Sequence, residues 1–278
     1  LAQEQKQLLD KGVAELQEIV RILREREREG ESSSFDRIRA ERELADVQVE
    51  LVSAQTSIVQ ARARLASFFA PGTDPDSLVA KGQFAQDGSL PPVTELVIRA
   101  LETRGDYRAE ERQLERWEFE RRAARRTRVP EPILNAGLKR TRISGFADSG
   151  YVVSLTIPLP LFNRGQAETA RAQAVAKRIQ AERLALRQQI EAEVKGVYAA
   201  LELRRRLARD YSRELGQKGT DLAQIAQLAY QEGAQGILEL VDAYRIALRS
   251  QLRAVELSAA AKQAQIELDR AVGEEVLP

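Results

Sequence analysis

The sequence predicts a mainly α-helical fold: long antiparallel coiled-coil hairpins with one β-hairpin set between them. Three observations lead there. No proline interrupts the chain between Pro160 and Pro278, so only glycines can end a helix in that stretch. Leu44, Val47, Leu51, Ala54, Ile58, Ala61, Leu65 and Phe68 are spaced by alternating threes and fours, a seven-residue repeat that specifies left-handed coiled-coil packing. Between Ile133 and Leu161 the period changes from the helical one to strand alternation.

Composition agrees with thin helical seams rather than a thick core. Of the 278 residues, 31% are charged and 5% aromatic, the profile of long helices and coiled coils. The net charge of +1 gives no global electrostatic case for nucleic acid or an anionic membrane. A local basic cluster, Arg121-Arg122-Ala123-Ala124-Arg125-Arg126, is read either as a solvated helix face or as a phosphate or lipid contact. The chain has no cysteine, histidine or methionine, which leaves neither thiol nor imidazole chemistry and only hard carboxylate sites for a metal. No metal site, cofactor or catalytic constellation is expected. No stretch approaches the ~18 apolar residues of a membrane-spanning helix, and no signal-peptide pattern is read among these residues. A membrane β-barrel stays open, because its strands give weak hydropathy signals.

Taken in order, residues 1–28 form a helix with Leu8, Leu9, Val13, Leu16, Ile19, Val20 and Leu23 on one apolar stripe. A polar turn follows at residues 29–34, where Ser33 and Asp36 have capping-box spacing. The heptad helix comes next and completes a first helical hairpin over residues 1–69. Residues 70–92 hold four of the nine prolines and form a loop region. A single upper helix is expected over 93–129, with Ala100, Tyr107 and Leu114 on one heptad row and Trp117 as a packing anchor rather than a ligand contact. The β-hairpin occupies 130–162. Leu134, Ala136 and Leu138 alternate on one strand, Tyr151, Val153, Leu155 and Ile157 on the other, and the reversal falls at Gly145 to Gly150. An isolated hairpin is marginal in water and needs further strands to pair with. Residues 163–278 form the second helical hairpin, its tip near 231–236. A helix from Asn163 to Ala229 would be on the order of 100 Å long.

The two helical turns repeat each other. A shift of 203 positions places Gly30 on Gly233, Ser33 on Gly236, Phe35 on Leu238, Asp36 on Glu239 and Ala40 on Ala243. Matched turns, acids and core positions at one offset indicate a duplicated helical hairpin.

Four stretches then resemble the TolC-type outer membrane factors of bacterial efflux systems. They are Glu29-Gly30 through Ala40, Arg104-Gly105-Asp106-Tyr107-Arg108-Ala109-Glu110, Ile157 through Gln166, and Tyr230 through Asp242-Ala243. The second departs from the family pattern in having Gly105 for proline. The third looks most like the CzcC-like heavy-metal branch, without that branch's extra Asn-Gln-Gly run. The resemblance implies a homotrimer whose helices are staves of a periplasmic α-barrel and whose strands belong to a shared twelve-stranded outer membrane β-barrel. One hairpin per chain supplies six strands to a trimer. An N-terminal part with another hairpin and an export signal is therefore expected to be missing from this chain.

By the same resemblance the protein is a passive outer membrane conduit for substrates, metal cations among them. Its partners are a periplasmic adaptor, an inner membrane RND-type pump and outer membrane lipid. The tips, at Gly30, Ser33, Gly233 and Gly236, dock the adaptor. Asp36 and Tyr230 occupy two positions of the family's periplasmic gate, and Gln235 stands where the family has an arginine. Glu239 and Asp242 match pore-lining carboxylates, which would favour cations. They are equally read as first-turn acids favoured by the helix dipole. The alternative to a channel is a soluble coiled-coil scaffold or membrane-curving helical dimer. That explains the heptads but neither the strand pair nor the repeated tips.

Overall fold

The computed structural model describes residues 1–82, 84, 88–126, 129, 131–143, 146–158, 162, 165–214 and 216–277. Their fold is mainly α with one antiparallel strand pair. The helices are α1 (Ala2–Arg28), α2 (Ser34–Ala66), α3 (Val93–Thr103), α4 (Gly105–Arg126), α5 (Gln166–Glu214), α6 (Gly216–Gln231) and α7 (Ile237–Val272). The strands are β1 (Ile133–Ile143) and β2 (Phe146–Thr156), and a single 3-10 turn lies at Pro75–Ser77. Contacts divide the chain into two compact units. One comprises Leu1–Leu90, Gly196–Arg270 and Glu275–Pro278; the other comprises Pro91–Lys195 and Ala271–Glu274.

In the first unit α1 is buried on two sides. Leu9, Leu16, Ile19, Val20 and Leu23 pack with Ala40, Val47 and Ala54 of α2 and with Ile237, Leu240, Val241 and Ala243 of α7. Gly12 is small because α7 comes close there: a Cβ at this position would lie 2.9 Å from Leu248 Cδ2. The heptad seam of α2 is buried only in part. Leu44, Val47, Leu51, Ala54 and Ile58 are covered to some degree, whereas Ala61, Leu65 and Phe68 are exposed.

In the second unit the upper helix is not single. Arg104 adopts an extended conformation (φ −63°, ψ 124°) and separates α3 from α4. Its guanidinium is held by Asp106 at 2.8 Å, Glu193 at 2.7 Å and the Ala271 carbonyl at 3.1 Å, so the break is fastened from three sides. Paired with Arg104, the Asp106 carboxyl is held below its usual range. Tyr107 is buried, and its hydroxyl accepts from Arg183 Nε at 3.1 Å. Trp117 is half-buried with Arg116 against its ring.

The ladder pairs Leu134 with Leu155, Ala136 with Val153 and Leu138 with Tyr151, which collects these six on one face. Leu134, Leu138, Tyr151, Val153 and Leu155 are all exposed. The other face carries Asn135, Lys139 and Ser154. Gly150 lies within β2, opposite Lys139, so the reversal is shorter than the expected Gly145 to Gly150. Gly145, Pro130, Pro160 and Asn163, together with half of the stretch from Ile157 to Gln166 that carries part of the family resemblance, lie outside the described residues.

Candidate functional site

The two helical turns of the first unit carry most of the residues singled out by sequence, and they are built alike. α1 ends at Arg28 and α6 at Gln231; α2 starts at Ser34 and α7 at Ile237; each pair is 203 positions apart. Their closing hydrogen bonds match at the same offset. Glu31 N–H donates to the Arg26 carbonyl at 2.8 Å, and Ala234 N–H to the Ala229 carbonyl at 2.8 Å. Gly30 and Gly233 sit between them in left-handed conformation, φ 79° and 71°, which a residue with a Cβ adopts at a cost.

The turns differ in how the following helix is capped. Ser33 Oγ accepts from Asp36 N–H at 3.2 Å, while Asp36's carboxylate takes Ser33's hydroxyl at 2.8 Å and backbone N–H at 3.4 Å. This is a complete capping box. In the second copy Gly236 replaces the serine and no hydroxyl is available. Glu239 folds back instead, its Oε2 lying 3.1 Å from where a Cβ of Gly236 would be.

Asp36 and Tyr230 are not joined by a hydrogen bond in this chain. Asp36 is occupied by its own cap. Tyr230's hydroxyl accepts from Arg26 Nη1 at 3.1 Å, and the Arg26 guanidinium lies 5.0 Å from the ring centre. Gln235 donates its backbone N–H to the Ala229 carbonyl and is exposed. Glu239 is exposed at the start of α7, whereas Asp242 is paired with Arg245 one turn on. Among the described residues, no group of three or more His, Cys, Asp or Glu side chains is placed to hold a metal ion.

Sequence reasoning missed an ionic ladder just behind the first turn. Arg37 Nε meets Glu27 at 2.6 Å and its Nη1 meets Glu41 at 2.8 Å; Arg24 Nη2 reaches Glu41 at 2.8 Å. Hydrogen bonds from Arg24 and then Arg37 hold the Glu41 carboxyl below its usual range. The signal was legible as opposite charges at near-mirror distances about the turn. At the repeat offset Glu27 and Arg37 become Tyr230 and Leu240, so the second hairpin is apolar where the first is ionic. Tyr230 and Leu240 line one groove with Ile19, Ile22 and Tyr244. Burial, with Glu15 nearby, raises the Tyr244 hydroxyl above its usual range.

The model of the family described as outer membrane efflux protein matches residues 96–274, more than half of the chain. The chain belongs to the outer membrane efflux protein family. Among curated relatives it is similar to the cobalt-zinc-cadmium resistance protein CzcC of Cupriavidus metallidurans, at 25% identity over 246 residues, covering 88% of this chain and 57% of CzcC. Among solved structures it is similar to a membrane protein from Pseudomonas aeruginosa, with TM-score 0.79 and 22% identity over 98% of this chain and 64% of that one. It is also similar to the outer membrane protein VceC from Vibrio cholerae, with TM-score 0.75 and 19% identity over 99% and 67% of the two chains. The chain thus spans a little over half of the curated relative and about two thirds of these structures. The TolC-type resemblance read from the four sequence stretches is borne out at the level of family and fold.

Among the described residues no helix is long and apolar enough to cross a membrane.

Proposed function

We propose that the chain is a subunit of a trimeric outer membrane efflux channel, a passive conduit that conducts substrates, divalent metal cations among them, from the periplasm outward. The observation that carries this reading is a second, unpartnered apolar stripe on α2. Phe35, Ile38, Val49, Val52 and Val59 share seven-residue spacing and are all exposed, while the first stripe of the same helix faces α1. A helix with two heptad seams has one more than its own chain fills, which suits a stave flanked by a neighbouring copy. The strand pair supports it from the other side, since its apolar face is exposed and both its edges lack a partner among the described strands. In lipid such edges must be closed by other chains.

In this reading residues 1–69 and 163–278 supply the staves, 70–92 and 93–129 connect them, and 130–162 enters the outer membrane. Gly30, Ser33, Gly233 and Gly236 form tips that dock a periplasmic adaptor, itself coupled to an inner membrane pump. Asp36, Tyr230 and Gln235 belong to the gate, with Arg26 added to them because it holds Tyr230. Glu239 faces the pore as a carboxylate ring. Asp242 contributes less charge while Arg245 neutralises it. The name of CzcC supports cobalt, zinc or cadmium as cargo. Oligomer mass in mild detergent tests the assembly: three chains are expected, and a soluble dimer would favour the coiled-coil scaffold instead.

A further inference from the structure

We propose that the arginine-rich end of α4 is a docking surface for anionic phospholipid headgroups at the membrane that the β-hairpin enters. The inference rests on the membrane reading of that hairpin and adds a charge-specific contact beside it. The charges of α4 are segregated. Arg121, Arg122, Arg125 and Arg126 fall in its last six residues with no acid, whereas every acid of the helix lies between Asp106 and Glu120. Arg122 meets Glu118 only at 3.9 Å. Arg125 and Arg126 are exposed and have no ion-pair partner among the described residues. Arg121 Nε is buried without a hydrogen-bond acceptor.

An exposed aromatic stands among these cations. Phe119 is 64% exposed, and the Arg122 guanidinium lies 5.0 Å from its ring centre. An apolar ring next to guanidinium groups matches the boundary between headgroups and acyl chains. Guanidinium also pairs in a forked geometry with phosphate.

Position in the fold makes the match specific. α4 stops at Arg126 and β1 starts at Ile133, whose ladder partner is the last residue of β2, Thr156. The helix therefore leads into the open end of the ladder, where the apolar pair Leu134 and Leu155 begins. At no more than ~3.5 Å per residue, Arg126 at the end of the cluster lies within roughly 25 Å of the first strand residue. A favourable helix dipole accounts for cations in the last turn alone. It does not account for Arg121, Arg122 and the exposed Phe119 a turn earlier.

Flotation of the full chain with vesicles tests this. Phosphatidylcholine vesicles report insertion of the hairpin, and vesicles with about 30% phosphatidylglycerol add the negative surface. The expected result is binding to both, with partitioning onto the anionic vesicles about tenfold or more stronger at low salt. That preference should vanish near 0.5 M salt and in the variant R121Q/R122Q/R125Q/R126Q, as screening and charge removal require. It should persist when the exposed arginines at 42, 64, 206 and 209 are changed to Gln, which removes equal charge elsewhere. Equal binding of the unaltered chain to both vesicles, or a preference that survives in the α4 variant, overturns the headgroup surface and leaves the hairpin reading standing. Failure to float with either vesicle overturns both. Tight binding of a polyglutamate peptide without any preference for phosphatidylglycerol would assign the surface to an acidic protein and overturn the proposal.

Discussion

Ser33 shows how much one side chain can decide at a helical turn. Its hydroxyl and the Asp36 carboxylate satisfy each other's backbone donors, so the start of α2 is fixed locally. Ser33→Ala should cost about 1 kcal/mol of stability, read as a lower urea midpoint, because the cap is lost while the chain path is kept. Gly236→Ser tests the second copy by the reverse route, although Glu239 must move aside for the new side chain. The ionic ladder behind the turn is linked to pH. Glu41 is held below its ordinary range by Arg24 and Arg37, so its contribution is complete above the carboxylate range and is lost as the pH falls through the lowered value. Unfolding midpoints measured from neutral pH down to strong acid should show the deficit of Glu41→Gln relative to the unaltered protein shrinking toward zero in the acid arm. A deficit that stays constant there would remove the ladder from the account.

At the scale of single elements, α2 separates folding from assembly. Leu23 of α1 is 1% exposed against α2, and Leu23→Ala should destabilise the chain by about 2–5 kcal/mol in chemical unfolding. The pair V49S/V52S alters only the exposed stripe. It should leave the unfolding of the isolated chain within about 0.5 kcal/mol while breaking the detergent-stable oligomer. If the oligomer survives, the second seam is not where copies meet. The break at Arg104 teaches a different lesson. Apolar spacing ran on through 93–126 as if one helix were present, because periodicity records which faces are buried and not whether the axis is continuous. The guanidinium contacts to Glu193 and the Ala271 carbonyl, far away in sequence, keep that residue extended.

At the scale of the whole molecule, the proposed assembly would supply from other chains the partners that the exposed faces lack among the described residues. Exposed apolar faces on α2 and on the strand pair are otherwise costly in water. Cells that lose this protein should become more sensitive to cobalt, zinc or cadmium, while sensitivity to unrelated stress stays the same. Unchanged metal tolerance, measured as growth across a concentration series, would redirect the search to organic substrates.

Chain-local features were settled by sequence alone: the helical periods, both glycine turns, the 203-residue repeat, the capping box and the alternating strands. The repeat is the sequence compared with itself, and each of the others depends on residues a few positions apart, where backbone sterics and side-chain spacing act directly. Only the tertiary structure decided which of two apolar stripes on α2 is covered and that Arg26 rather than Asp36 holds Tyr230. A carboxylate or hydroxyl can satisfy itself with any donor within about 3 Å, and nothing in sequence order ranks those donors before the chain is folded.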